Sequence, residues 1–358
     1  MNYNNPNLVF KEIPTGKVGW CSPSNIALVK YWGKTGIQIP ANPSISFTLS
    51  KSITETIINF SPSKNDRCNL DFYFDGIPNA KFAEKTSEFF KKLVDIFPFI
   101  KQLDFSIYTK NTFPHSAGIA SSASGMSAIA IALCDIENQF FNTFHTEDEF
   151  YQKASYIARL GSGSACRSIY GSIVSWGEIK ELDYTSNLWG SRLKFEVNPV
   201  FKDYHDSILI VDSGEKKVSS TVGHGLMNNN PFSKSRFIQA NNNIKNLLDV
   251  LRSGDLEEFV TIVENEALTL HAMMMTSYPS FLLMKPNTIS IIENIREFRN
   301  STGIPVSFTL DAGPNIHMLY PHSFKDKVQS FIESSLKVFT QNEVIHDNVG
   351  SGPEKLQP

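Results

Sequence analysis

The sequence predicts a mixed protein of strands and helices in two domains. Three observations carry this. The chain has 358 residues, more than one hydrophobic core usually supports. Runs with every second residue apolar, such as Phe105–Tyr108, lie between runs with helical spacing, such as Ala80–Asp95. A turn-rich, irregular stretch at Asp183–Arg192 offers a boundary between two such groups. The expected domains are therefore 1–190 and 191–358.

Several function classes drop out on composition. The net charge of -3 and the lack of any basic block give no support for nucleic-acid binding. No run approaches the roughly 20 apolar residues of a membrane span. The N-terminus is polar, without an apolar stretch behind a basic start. Four cysteines, none in a C-x-x-C pair, read as reduced thiols. The expectation is a soluble cytoplasmic protein. Neither H-E-x-x-H nor paired Cys/His spacing marks a metal cluster, and no G-x-S-x-G elbow supports serine hydrolysis.

In chain order, Gly19–Lys34 reads G-W-C-S-P-S-N-I-A-L-V-K-Y-W-G-K, with Pro23 as punctuation and Ile26–Val29 as a short apolar run. Lys30, Tyr31 and Lys34 crowd behind it. They suit either an anionic ligand or a solvated loop anchored by Trp32. Ile39–Ser50 reads as turn then strand, and Glu55–Phe60 and Leu70–Phe74 extend the β character. Ala80–Asp95 is an amphipathic helix.

Pro114–Gly125, P-H-S-A-G-I-A-S-S-A-S-G, follows the Phe105–Tyr108 alternation and precedes a helix over Ala120–Asn138. Strand, tight loop and helix start can aim backbone N–H groups and the positive helix end at one anion. Gly118 and Gly125 allow close approach, and Ser121 and Ser122 add hydroxyls. The same composition also suits a helix-packing surface. It lacks the G-K-[ST] of a Walker loop.

A second helix is expected over Asp148–Leu160. Arg159–Ser168, R-L-G-S-G-S-A-C-R-S, then places Ser162 and Ser164 beside Gly163, with Arg167 one step on. Hydroxyls, amides and a guanidinium there form a receptor for carboxylate or phosphate, or else an ordinary cap with a surface arginine. Gly171–Gly177 and Ser207–Val211 read as strands. The second is followed by Val218-Ser219-Ser220-Thr221, hydroxyls just beyond a strand end. Phe237–Leu251, Leu256–Met275, Ile289–Phe298 and Phe324–Val338 read as helices. In Val306–Leu319 an alternating strand runs into Asp311-Ala312-Gly313-Pro314-Asn315. Asp311 either closes that turn or serves as a general base.

Taken together, Asn25–Lys34, Pro114–Gly125, Gly161–Ser168 and Asp311–Asn315 resemble diphosphomevalonate decarboxylases. These belong to the wider group of galactokinase, homoserine kinase, mevalonate kinase and phosphomevalonate kinase. The match runs from Ser22 to Pro353 in the family's order. N-I-A-L-V-K-Y-W-G-K and G-S-G-S-A-C-R-S are its most specific parts.

The resemblance implies an α+β fold of two domains. The first is like ribosomal protein S5 domain 2, the second is a ferredoxin-like sandwich, and the active site lies in the cleft between them. It implies ATP and Mg²⁺ as cofactors, and 3-phosphorylation of mevalonate 5-diphosphate followed by loss of phosphate and CO₂ to give isopentenyl diphosphate. Asp311, Arg167, Lys34 and Asn25 carry the chemistry in this reading. Ala27, Tyr31, Lys34, Ser162, Gly163, Ser164, Arg167, Ser220, Thr221 and His224 line the substrate. Gly118, Ile119, Ala120, Ser121 and Ser122 hold ATP. Metal ligands are not assigned. The implied assembly is a homodimer acting on small molecules, without nucleic acid or membrane as partner.

Three departures from the family pattern stand out. His224 stands where many members carry methionine, Ser124 replaces a usual alanine, and the Lys34–Pro40 loop is short. Relatives that act on mevalonate 5-phosphate, or that stop at phosphorylation, stay open, as does a non-catalytic, nucleotide-sensing role.

Overall fold

The protein is described here by a computed structural model covering residues 3–64, 68–114, 119–214 and 220–357. Among these residues two main sheets form. The eight-stranded sheet runs in the order β14 (Glu354–Lys355), β1 (Gly16–Val29), β4 (Ser44–Pro62), β7 (Leu103–Asn111), β5 (Leu70–Phe74) and β6 (Ile77–Pro78). Strand β8 (Ile173–Trp176) pairs with β4 and carries β9 (Gly190–Arg192). The four-stranded sheet runs β11 (Ser307–Thr309), β12 (Ile316–Pro321), β10 (Tyr204–Leu209) and β13 (Val344–Asn348). A small hairpin joins β2 (Lys34–Thr35) to β3 (Ile39–Pro40).

Eight helices complete the described chain: α1 (Ala80–Leu93), α2 (Ser121–Phe141), α3 (Glu147–Gly161), α4 (Ser220–Gly225), α5 (Ser233–Ser253), α6 (Leu256–Met275), α7 (Pro286–Thr302) and α8 (Lys325–Phe331). Among the described residues, none is long and apolar enough to cross a membrane.

Pro23 does not end the first strand, as its turn-forming character suggested. It lies inside β1, where the register against β4 slips between Pro23 and Asn25. A proline is tolerated in a sheet at such an irregularity because the ladder is already broken there. The last predicted helix is interrupted. α8 gives way to a π-turn over Ile332–Leu336 and a 3₁₀ turn over Lys337–Phe339. Ser334 donates its hydroxyl back to the carbonyl of Phe331 (3.4 Å), a local bond that competes with regular helix.

The α2 face explains how the serine-rich stretch folds. Ser124 and Ser127 are fully buried. Ser124 Oγ lies 2.6 Å from Thr54 Oγ1 on β4, and Ser127 Oγ bonds Ser22 Oγ on β1. Small side chains let the helix sit close to the sheet while these hydroxyls satisfy each other. Beyond it, Phe90, Phe97, Phe99, Phe105, Leu133 and Ile157 form one apolar core. A second core joins Ile26, Leu28 and Phe47 of the first sheet to Tyr204, Leu247 and Phe259. The four-stranded sheet packs Phe308 and Met318 against Ile291, Ile295 and Val328.

At the junction lies a fully buried ion pair. Arg236 of α5 donates to both carboxylate oxygens of Glu266 on α6, at 2.8 and 2.5 Å. Asn243 adds a third donor at 2.6 Å. Removing one partner strands a charge in the core. Arg236→Met should therefore lower stability by about 3–5 kcal/mol, measured by chemical denaturation.

Candidate active site

The site grows from the end of β1. Leu28 and Val29 are fully buried, and the chain carries this apolar run straight into Lys30, which is 1% exposed. Glu266 accepts the Lys30 N–H (2.9 Å). The Lys30 carbonyl accepts from Asn42 Nδ2 (2.9 Å) and Arg236 Nη2 (3.3 Å). The backbone is thus fixed from both sides, and the side chain reaches Asp311 of the other sheet, with Nζ 3.1 Å from Oδ1. Burial lowers the Lys30 pKa, against the opposing pull of Asp311 and Glu266.

Asp311 follows β11 and keeps its side chain partly open, at 28% exposure. His271 Nε2 of α6 lies 3.1 Å from the Asp311 carbonyl. A carbonyl can only accept, so that nitrogen carries the proton. Burial pushes the His271 pKa down to about 4, which keeps the ring neutral in this role.

Arg167 lies in a 3₁₀ turn, Gly163–Ile169, and is 3% exposed. It is not a surface partner. Nε donates to Ser46 Oγ (3.0 Å), Nη1 to Ser44 Oγ (2.7 Å) and Nη2 to Asn25 Oδ1 (3.1 Å). Asn25 in turn donates to Ser168 Oγ (2.8 Å) and the Ser164 carbonyl (3.3 Å). The bulge at Pro23–Asn25 and the Ala27–Ser46 pairing bring these groups together. Every one of these acceptors is neutral. Among the described residues Arg167 forms no ion pair within 4.0 Å, although Asp311 is near enough to act on it electrostatically. A guanidinium fixed this way keeps its positive field for a visiting anion.

The remaining expected residues are placed as follows. Tyr31 packs on Trp176 (4.6 Å between ring centres) and on His224 (4.2 Å), and its buried hydroxyl has no partner among the described residues. Gly163 must be glycine, since a Cβ there would lie 2.8 Å from Trp176 and 3.0 Å from the Tyr31 hydroxyl. His224 accepts the Gly33 N–H at Nδ1 (3.0 Å) and lies between Tyr31 and Trp32. Burial, with Lys34 and Arg167 nearby, pushes its pKa down to about 3. A neutral ring filling an aromatic slot does the packing work of a methionine. Lys34 Nζ donates to Gln38 (3.3 Å). Ser220 and Thr221 open α4, but their side chains lie outside the described residues.

The proposed phosphate loop is divided. His115–Gly118 lies outside the described residues. Ile119 is buried, and Ala120 at the α2 start holds φ +44, an uncommon left-handed conformation for a residue with a Cβ. Ser121 and Ser122 face outward, while Ser124 and Ser127 pack inward. The packing reading of this stretch therefore holds for Ser124 and Ser127, and it leaves Ser121 and Ser122 more open. Ser122 Oγ lies 3.5 Å from Ser162 Oγ, so the α2 start and the Arg167 turn meet. Outward hydroxyls at a helix start suit the phosphates of a nucleotide.

Glu266, His271, Ser44 and Ser46 belong to none of the sequence motifs, and Lys30, which suited either an anionic ligand or a solvated loop, is instead buried and paired with Asp311. A signal was present for two of them. Glu266 stands on the apolar face of α6 with Val263, Ala267 and Leu270, and Lys30 ends an unbroken apolar run.

The chain also matches known proteins along most of its length. Residues 22–187 match the diphosphomevalonate decarboxylase-like N-terminal domain, and residues 207–355 match the mevalonate 5-diphosphate decarboxylase C-terminal domain. A diphosphomevalonate decarboxylase of Ganoderma lucidum is 30% identical over 92% of this chain and 84% of its own. The crystal structure of mevalonate diphosphate decarboxylase from Staphylococcus aureus is 28% identical, with a TM-score of 0.81 over 97% of this chain and 99% of its own. A structure described as MDDEF in complex with MVAPP, AMPPCP and magnesium is 25% identical, with a TM-score of 0.81 over 96% of this chain and 100% of its own. The chain belongs to the diphosphomevalonate decarboxylase family.

Proposed function

We propose that the protein converts mevalonate 5-diphosphate and ATP to isopentenyl diphosphate, ADP, phosphate and CO₂. The observation that carries this is the Lys30–Asp311 pair at 3.1 Å beside a buried guanidinium, Arg167, that is held only by neutral groups. One group accepts a proton and the other aligns a carboxylate.

A tertiary alcohol is a weak nucleophile and a poor leaving group. Asp311 takes the 3-hydroxyl proton as that oxygen attacks the γ-phosphoryl group, and ADP departs. Lys30 holds one oxygen of Asp311 and so fixes the carboxylate's aim. Phosphate then leaves C3 with the C–O electron pair. The C1–C2 bond breaks, its electrons form the C2–C3 double bond, and CO₂ departs. Arg167, steadied by Asn25, orients the C1 carboxylate without reaching it through a tight ion pair, which would oppose its conversion to neutral CO₂. Ser162, Ser164, Tyr31 and Lys34 line the substrate, and Ser121 and Ser122 meet the nucleotide phosphates. Mg²⁺ would arrive with the nucleotide, beside the Ser122 hydroxyl, and neutralise phosphate charge.

Asp311→Asn preserves shape but removes the base. Its kcat should fall by about 10²–10⁴, with ATP affinity unchanged, as measured by ADP release and nucleotide titration. Turnover near that of the wild type would sink this assignment.

Arg167→Lys keeps the charge and loses the planar fork. Its kcat should drop by about 10² with little change in KM for ATP. An equal loss of ATP affinity would contradict a role in carboxylate alignment.

The neutral histidines give a pH signature. His224 and His271 have folded pKa values of about 3 and about 4, against an ordinary 6.5. Between these limits the unfolded chain binds protons that the folded chain refuses. Stability is therefore full above about 6.5 and is lost as pH falls toward about 4, by up to about 1.4 kcal/mol per pH unit for each ring. His224→Met should flatten this acid limb in melts taken across pH.

A further inference from the structure

We infer that Asp203, His205 and His322 form a binding site for a divalent transition-metal ion, and that zinc is the ion whose chemistry suits it. Antiparallel pairing of β10 with β12 sets Tyr204 opposite Pro321 and His205 opposite Tyr320, so residues 203 and 322 meet at one end of the four-stranded sheet. His205 Nε2 lies 2.9 Å from His322 Nδ1, and His322 Nδ1 lies 2.9 Å from Asp203 Oδ2. All three donor atoms fall within 4.8 Å of one another.

One proton cannot serve both contacts of His322 Nδ1 well. If it points to the carboxylate, the nitrogen has no lone pair for His205. If the nitrogen is bare, it faces the carboxylate lone pairs. A cation between the three accepts a lone pair from each, and two imidazoles with one carboxylate is a donor set that zinc favours.

The outer contacts are also in place. Asn348 Nδ2 donates to Asp203 Oδ1 (3.2 Å), which leaves Oδ2 directed at His322. The His205 ring makes a hydrogen bond with the main chain of Asp347, the kind of second contact that fixes a ligating imidazole. Asp203 and His322 are exposed, which gives an ion a way in and leaves room for water as a further ligand. None of the three belongs to the proposed catalytic machinery.

The test uses full-length enzyme stripped with a chelator and freed of nucleotide. Zinc is titrated against a chromophoric chelator, and melting temperature is read with and without zinc. The wild type should bind one equivalent and melt higher. His322→Ala and Asp203→Asn, both at exposed positions, should lose at least about tenfold in affinity and show no zinc-dependent rise, while turnover with Mg²⁺ and ATP is unchanged. Asn348→Ala should weaken binding by about 10–100-fold. A wild type that cannot compete for zinc would overturn the site, and so would both exposed-ligand variants binding as tightly as the wild type.

Discussion

A lysine at the end of an apolar strand is costly unless something answers its charge, and much of this protein is arranged as that answer. Lys30 is 1% exposed, and its amine meets Asp311, just beyond β11 of the other sheet, at 3.1 Å. Its backbone is held by Glu266, which is itself neutralised by Arg236. Two helices, the long first strand and the turn after β11 thus depend on one another through a chain of buried charges. Such a network contributes little net stability compared with apolar packing. What it provides is a carboxylate with a fixed position and a side still open to a ligand.

Arg167 shows the complementary arrangement. It sits about as deep as Lys30, yet its described partners are the amide of Asn25 and the hydroxyls of Ser44 and Ser46. Neutral acceptors hold the fork in place without cancelling its charge. The two buried cations therefore differ: Lys30 is paired with the protein's own acid, and Arg167 is held by neutral groups, which is why we propose it as the partner of a substrate anion. The register slip of β4 against β1 at Pro23–Asn25 makes this possible, because it brings Ser46 opposite Ala27, two residues beyond Asn25, where the register before the slip would place Leu49.

Much of the fold was legible because its signals are local. The span of α6, Leu256–Met275, follows from periodicity alone, and α1, α2 and α3 differ from expectation by a few residues at their ends. Asp311 and Arg167 stood out as polar residues at sharp turns. The pairing of Lys30 with Asp311 was hidden because the two are 281 residues apart, and no local pattern records so distant a contact. Ser44 and Ser46 were hidden for the same reason, since hydroxyls on a strand look alike until the register places them. Pro23 misled because a bulge, unlike a turn, leaves no pattern of its own. The serine-rich stretch was ambiguous because its serines lie in different settings, with Ser124 and Ser127 packed on the sheet and Ser121 and Ser122 more open.

The central claim is that phosphoryl transfer assisted by Asp311 and carboxylate alignment by Arg167 are parts of one reaction in one site. It is tested most directly by supplying the purified enzyme with ATP, Mg²⁺ and mevalonate 5-diphosphate and following ADP and CO₂ in the same vessel. The account predicts one CO₂ for each ADP throughout the time course. Steady ADP release without CO₂ would contradict it.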